Sequence, residues 1–302
     1  MPPKIIHLVK FWGKGGVEDY INSLQKVKDS VHEVKLCSQI SFFKIKKLSK
    51  NNIYLFHTPT YIFPILYLKL IGIPHKVILH NEPFRKHFLK DSYFLFNFFI
   101  HAFLGTKIYV WSKNIKKKLL KLNLNVELMP MFDQSKFLKT SYSNSKKVIF
   151  VARYDTQKNI DLFLEITKEN KDYTFDVYGD GYPLNFFRNY KNISFKGFIK
   201  DKDVIYDDGI LLCTSHYEGG PLVALEALSY GLPIITTHVG VFYNVKTNIN
   251  KISSINTFKT SGEANIILDI FRNKKFFHSD NNLQYLSEKF LTSTDVVNKI
   301  YE

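Results

Sequence analysis

Short apolar, β-rich runs alternate with stretches of helical spacing along the first half of the chain. The runs are Ile5–Val9, Val34–Cys37, Ile53–His57, Lys76–His80 and Ile108–Trp111, and the helix-compatible stretches lie near 17–28, 60–70, 84–104 and 113–122. Apolar strands separated by helices predict a parallel sheet covered on both faces. Residues 131–146, which end Thr-Ser-Tyr-Ser-Asn-Ser-Lys, are polar and turn-rich and read as a linker. The rhythm restarts with Val148–Val151, Thr174–Tyr178, Ile193–Phe195, Ile210–Cys213 and Ile234–Thr236, and Asn282–Tyr301 reads as a terminal helix. Two Rossmann-like α/β domains are expected, over residues 1–140 and 141–302. At 302 residues the chain is long enough for each to bury its own core.

The pattern is most unusual at residues 218–226, Glu-Gly-Gly-Pro-Leu-Val-Ala-Leu-Glu. Pro221 suits a first helical position, Gly231 the residue just past the end, and Pro233 stops resumption, so a helix is predicted from about 221 to 230. Glu226 lies inside it among Leu222, Val223, Ala224, Leu225, Ala227 and Leu228, none of which offers a counter-charge. A carboxylate buried there alone would cost several kcal/mol or stay protonated. A polar ligand is one solution, and a buried ion pair with a lysine is the other. Glu218, Gly219 and Gly220 stand where the chain enters the helix, and a helix N-terminus favours anions.

Cations sit at a comparable position. Arg153 and Lys158 follow the strand Val148–Val151, and open α/β sheets bind ligands at the C-terminal ends of their strands. Taken alone, two basic residues five apart are most simply surface charges. Gly179 and Gly181 end the next strand, and Gly15 and Gly16 lie between the first strand and a helical pattern beginning at Val17. His80 and His57 each end an apolar strand, a position more often structural than catalytic. Asp201-Lys-Asp203 has a spacing that can hold a divalent metal, although Asp203 equally suits a helix cap.

EGGPLVALEALSYGLPII is similar to the E-x7-E signature of retaining glycosyltransferases of family 4, whose GT-B fold has two Rossmann-like domains facing a central cleft. GKGGVED, VILHNE, VARYDTQKNIDLFLEI and VYGDG match the same family in order, so the resemblance spans nearly the whole chain and is closer in the second half. It implies transfer of a sugar from a nucleotide-diphosphate sugar to a glycan or lipid-linked acceptor. Arg153 and Lys158 would hold the diphosphate and Glu226 the ribose hydroxyls. Glu218 would sit by the donor sugar, Gly219, Gly220 and the Leu222 amide would approach sugar and phosphate, and Gly179 would edge the nucleotide pocket. Gly15 and Gly16 would touch the diphosphate or the acceptor. His80 would be the active-site histidine, with His57 its rival by position, and Ser112 resembles a family serine or caps a helix. The family's terminal helix often crosses back onto the first domain. No residue reads as a dedicated nucleophile, which agrees with same-face displacement, and no metal or other cofactor is expected. The family's Asn-Gly-Val-Asp stretch is reduced here to Met-Pro-Met-Phe-Asp.

Charge sharpens the first half. Of the +15 net charge, residues 1–140 hold all the excess, with 23 Lys and Arg against 8 Asp and Glu. The aromatic runs Tyr61–Ile71 and Tyr93–Leu104, flanked by Arg85, Lys86, Lys90 and Lys107, fall short of the ~20 apolar residues of a membrane span. Such a basic, aromatic face suits an anionic membrane surface; core helices with ordinary solvated lysines are the bland alternative for either run alone, and the charge asymmetry between the halves favours the membrane. A polyprenyl-linked or other membrane glycan would then be the acceptor, at the cytoplasmic face. MPPKIIHLV runs straight into a strand without a leader pattern. Cys37 and Cys213 lie far apart, which indicates neither a disulfide framework nor zinc and suits a reducing cytoplasm. Three other functions remain: a nucleotide-sugar epimerase or hydrolase, a non-catalytic sugar-nucleotide-binding partner of another transferase, and a nucleic-acid module. The last ranks lowest, since the basic residues do not interleave with aromatics as stacking requires, and no nucleic-acid partner is expected.

Overall fold

A computed structural model describes residues 3–10, 12, 16–36, 49–57, 62–81, 96, 100–101, 103–130, 146–247, 254–273 and 289–302. The chain divides into two compact units, Met1–Asp133 together with Lys289–Glu302, and Gln134–Glu288. The first contains a sheet of six parallel strands, β1 (Ile5–Val9), β2 (His32–Leu36), β3 (Ile53–Phe56), β4 (His75–Leu79), β5 (Lys107–Val110) and β6 (Val126–Leu128), in the order β2-β1-β3-β4-β5-β6. Helices α1 (Gly16–Leu24), α2 (Ile62–Leu70) and α3 (Lys113–Leu120) connect them. Every residue of β1 and β3 is buried, which accounts for the unbroken apolar reading of β3 and for that of β1, interrupted only by His7. Strand β2 begins two residues earlier than its apolar content predicts, because His32 pairs with Ile5 in the parallel ladder. Cys37, the expected linker through residue 145 and most of the 84–104 stretch lie outside the described residues.

The second unit also has six parallel strands, β7 (Lys147–Val151), β8 (Thr174–Tyr178), β9 (Ile193–Gly197), β10 (Ile210–Cys213), β11 (Ile234–Thr237) and β12 (Ile255–Phe258). Their order is β12-β11-β10-β7-β8-β9. Helices α4 (Ile160–Glu169), α5 (Lys202–Ile205), α6 (Leu222–Ser229) and α7 (Ser261–Asn273) accompany them. Val148, Phe150, Phe163, Ile166, Phe175 and Phe258 lie in one buried cluster. Strand order reverses between β7 and β10 here, and between β1 and β3 in the first unit. At such reversals the connections diverge to opposite faces and leave a crevice at the strands' C-terminal ends.

Helix α6 is one turn position shorter at its start than the sequence suggests. Pro221 is extended (ψ 91°) and serves as N-cap rather than first helical residue, with its carbonyl accepting from the Ala224 and Leu225 amides. At the other end Gly231, at φ 79°, and Leu232 close a Schellman turn, donating to the Leu228 and Ala227 carbonyls at 3.0 and 2.9 Å.

The last helix, α8 (Ser293–Tyr301), belongs to the first unit. Thr292 and Asp295 form a reciprocal capping box at its start. At its other end Lys76 Nζ donates to the Lys299 and Ile300 carbonyls (3.2 and 2.8 Å) and the Tyr109 hydroxyl to Lys299 O (2.7 Å). Lys299 in turn pairs with Glu127. A cation on the final carbonyls complements the helix dipole. Val296, Val297 and Ile300 are buried beneath it.

Candidate functional site

In the second unit the residues singled out from the sequence converge on the exits of β7, β8 and β10. After β7 the chain turns through Arg153 into a 3-10 turn, Thr156–Lys158, whose N-cap Asp155 accepts from the Gln157 amide at 2.8 Å. Asn159, at φ 50°, reverses the backbone and caps α4 through its side chain. The two cations are thereby treated differently. Arg153 is 60% exposed, with Asp155 as a weak partner at 3.4 Å. Lys158 is folded inward and bonds Glu218 Oε1 at 2.7 Å. Burial alone would push the Lys158 ammonium down, and the Glu218 carboxylate outweighs it and holds the group above its ordinary value.

Glu218 is 5% exposed, and its Oε1 also accepts from Ser215 Oγ at 2.9 Å. Its loop is stitched to the turn after β7. Gln157 donates its side-chain amide to Tyr217 O and accepts from the His216 amide, and Thr214 Oγ1 donates to Lys158 O at 2.7 Å. From the opposite side Thr237 Oγ1 donates to Ser215 O at 2.6 Å. Gly240, at φ 53°, packs so closely on Gly219 that a Cβ would lie 2.5 Å from its carbonyl. Gly179 makes the equivalent approach after β8, where at φ 147° a Cβ would stand 1.9 Å from Ala152 O. Gly219 and Gly220 lead into α6, whose first residue is Leu222 and whose N-cap Pro221 makes no side-chain cap. Its leading amides are thus available to an anion.

Glu226 is not the isolated carboxylate that its apolar neighbours suggest. Lys202, at the start of α5, pairs with its Oε1, and the Tyr206 hydroxyl donates to Oε2 at 3.1 Å. The ion-pair alternative describes the chain as it stands, and a ligand hydroxyl at Glu226 would share it with Lys202. The Asp-x-Asp pair is likewise engaged. Asp201, not Asp203, caps α5 by accepting the Asp203 amide at 3.0 Å, because it is Lys202 that opens the helix. Asp203 Oδ1 accepts from the Tyr230 hydroxyl at 2.5 Å. Lys202, Ser215 and Gln157 were not singled out from the sequence; Lys202 stands in plain view between the two aspartates.

In the first unit Gly16 opens α1 and is exposed, while Gly15 lies outside the described residues. Ser112 caps α3, accepting from the Asn114 amide at 3.2 Å. His80 and His57, rivals in the sequence, are partners: His57 Nδ1 and His80 Nε2 are 2.7 Å apart with rings stacked at 5.0 Å. His57 continues to His7 (2.9 Å) and His7 to His32 (2.8 Å). Tyr20 of α1 packs edge-on against His57 and His80, and Trp111 lies against His80. Burial holds His7 near 3 and His32 and His80 near 4, and His57 well below the usual histidine value. All four imidazoles are therefore neutral at pH 7. His7 and His32 carried no signal in the sequence, since neither stands in a motif.

Residues 131–249 match the family described as Glycosyl transferases group 1. A Klebsiella pneumoniae protein described as an uncharacterized 41.2 kDa protein in cps region is 34% identical over 98 residues. That match covers 30% of this chain and spans about a quarter of the length of that relative, 27%. The crystal structure of Anabaena Alr3699/HepE in complex with UDP and glucose superposes with a TM-score of 0.78 at 14% identity, covering 99% of this chain and 98% of that one. A TarM variant of S. aureus, in complex with Fondaparinux, alpha-GlcNAc-glycerol and UDP, gives 0.70 at 16% identity, covering 86% of this chain and 58% of that one. The fold is the GT-B type, built of two parallel-sheet Rossmann-like units.

Proposed function

We propose that this chain is a retaining, metal-independent glycosyltransferase. It would move a sugar from a nucleotide-diphosphate sugar to a glycan or lipid-linked acceptor in cell-surface polysaccharide synthesis. The observation that carries the reading is the Lys158–Glu218 pair at the β7/β10 reversal, beside an exposed Arg153 and an uncapped helix start. Departure of a nucleoside diphosphate concentrates negative charge on its β-phosphate, and preorganised cations and amides aimed there lower the barrier. Arg153 offers a planar fork with little to surrender, and Lys158 a point charge held in place by Glu218. The diphosphate would compete with Glu218 for Lys158, drawing the carboxylate's partner toward the leaving group as charge grows.

The UDP found with HepE and TarM favours a uridine nucleotide, and the cps region of the Klebsiella protein agrees with polysaccharide synthesis. Metal independence is supported by the cations already at the phosphate position and by the capping and tyrosine bonds that occupy Asp201 and Asp203. Association with an anionic membrane at the cytoplasmic face is supported by Phe103 (90% exposed), Phe96 (60%) and Leu70 in the half that holds the excess positive charge. No helix among the described residues is long and apolar enough to cross a membrane.

Thermal unfolding with a panel of UDP-, GDP- and ADP-sugars in EDTA tests the reading. One nucleotide class at concentrations far above its Kd should stabilise the fold by about 2–4 kcal/mol, and Arg153→Ala and Glu226→Ala should abolish the shift. Arg153→Ala should also reduce turnover by about 100-fold or more. No shift with any nucleotide, or near-normal turnover in Arg153→Ala, would sink it. Donor consumed without an acceptor would turn the reading to an epimerase or hydrolase, and donor bound but never turned over to a non-catalytic partner.

A further inference from the structure

The four histidines of the first unit follow one rule of placement. Ile5 stands opposite His32 in the β1/β2 ladder, and His7 lies two residues beyond Ile5. His7 stands opposite Leu55 in the β1/β3 ladder, and His57 lies two residues beyond that. Continuing the β3/β4 register from Phe56↔Val77 sets His57 opposite Ile78, and His80 is again two residues on. Each step therefore moves one strand over and two residues forward, which keeps all four side chains on one face of the sheet. The staircase climbs from the N-terminal edge at His32 to the C-terminal edge at His80 and crosses the β1/β3 reversal between His7 and His57.

Hydrogen-bond direction along this staircase is fixed from its lower end. Ser30 Oγ lies 2.8 Å from the Val27 carbonyl, which has no proton to give, so the hydroxyl donates there. Ser30 Oγ is then the acceptor for His32 Nε2 at 2.9 Å. A neutral imidazole with its proton on Nε2 has a bare Nδ1, which must accept from His7 Nε2. The same step repeats: His7 Nδ1 accepts from His57 Nε2, and His57 Nδ1 from His80 Nε2. Every ring carries its proton on Nε2, and every lone pair in the series is used except one, on His80 Nδ1. No described residue bonds that atom. The rings of Tyr20 and Trp111 pack against the His80 ring, and the Tyr20 hydroxyl and the Trp111 indole N–H are buried donors without a partner among the described residues.

We infer that His32, His7 and His57 form a dead-ended tautomer relay that holds His80 with an unprotonated Nδ1, making His80 the hydrogen-bond acceptor for a substrate hydroxyl at the C-terminal edge of the first sheet. The assignment of His80 to the substrate rests on the transferase reading above; the relay itself does not. The first three rings and Ser30 are positioning residues. A lone pair on a ring packed against two side chains that carry unpaired donors matches a hydroxyl, which gives one hydrogen bond and accepts others, and disfavours a carboxylate, which can only accept. The lower end terminates in a hydroxyl already committed to a carbonyl, so the series orients His80 and does not conduct protons to solvent.

Nitrogen-15 NMR of the full chain labelled in histidine, at pH 7.5, reads the relay directly. The expected spectrum has neutral rings for His7, His32, His57 and His80, each protonated at Nε2 with an imine-type Nδ1. A His80 protonated at Nδ1, or a charged ring among the four, would overturn it. Ser30→Ala removes the anchor four hydrogen bonds from His80. It should give His80 a mixture of tautomers and lower kcat about two-fold or more through the smaller competent fraction, with KM for the donor unchanged and Ser30→Thr restoring both. An unaltered His80 spectrum in Ser30→Ala would overturn the anchoring. A relay spectrum as expected in a chain that transfers no sugar would instead remove the role given to His80 and count against the transferase reading alone.

Discussion

The two units solve one problem in opposite ways. Each brings polar side chains to the reversal of a parallel sheet, where burial penalises them. In the first, the groups spanning β1 and β3 are neutral rings, each satisfying its neighbour. In the second, the groups spanning β7 and β10 are a lysine and a glutamate of opposite charge. A neutral series can specify which atom carries a proton but offers nothing to a diphosphate. An ion pair holds a cation ready for an anion, at the cost of leaving a buried charge if either partner is lost. The sheets are alike, and the chemistry they suit differs.

Acid should separate the units most strongly. Each ring of the histidine series is held below its ordinary 6.5, so between about pH 6.5 and 4 the unfolded chain binds more protons than the folded one. Stability of the first unit is full above pH 6.5 and is lost as pH falls through that window, by roughly 2.5 kcal/mol per ring at pH 4.5. Both tryptophans, Trp12 and Trp111, lie in that unit, so tryptophan fluorescence during urea unfolding follows it selectively. A fluorescence midpoint level from pH 7 to 5 would contradict this.

Lys158→Ala should come next, lowering stability by about 3–5 kcal/mol because Glu218 keeps its burial and loses its counter-charge. Adding Glu218→Gln should recover much of that loss, and circular dichroism melts of both variants measure it. Gly179→Ala should cost about 1–3 kcal/mol through backbone strain and the collision with Ala152 O, visible as a lower urea midpoint. Smallest of all, Arg153→Ala should shift stability by less than about 0.5 kcal/mol, since its exposed pair contributes little. Its unfolding curve should overlay that of the unmodified chain even where turnover is lost.

The strands were legible because burial on both faces leaves a nearly continuous apolar run, unbroken in β3 and β10 and interrupted only by His7 in β1. Strands β6 and β12 were not: Val-Glu-Leu is three residues long, and Ile-Asn-Thr-Phe spends half its length on polar side chains that find partners, Asn256 with Ile234 O and Thr257 with Val245 O. In the second unit Arg153, Lys158, Gly179 and Glu218 stood out because loops at strand exits gather chemistry over short spans. The counter-charge of Glu226 comes from 24 residues away and is invisible to local spacing. The histidine staircase was harder still. It depends on register across four strands, and slipping one strand by a single residue would turn its ring to the opposite face.

The terminal helix α8 is part of the first unit, yet the ribosome makes it only after the whole of residues 134–288. At roughly 5–20 residues per second that interval lasts about 8–30 s. Throughout it Lys76 and Tyr109 face solvent without their carbonyls, and the seat of Val296 and Ile300 stands open. The nascent first unit thus keeps apolar surface uncovered for as long as its neighbour is being synthesised.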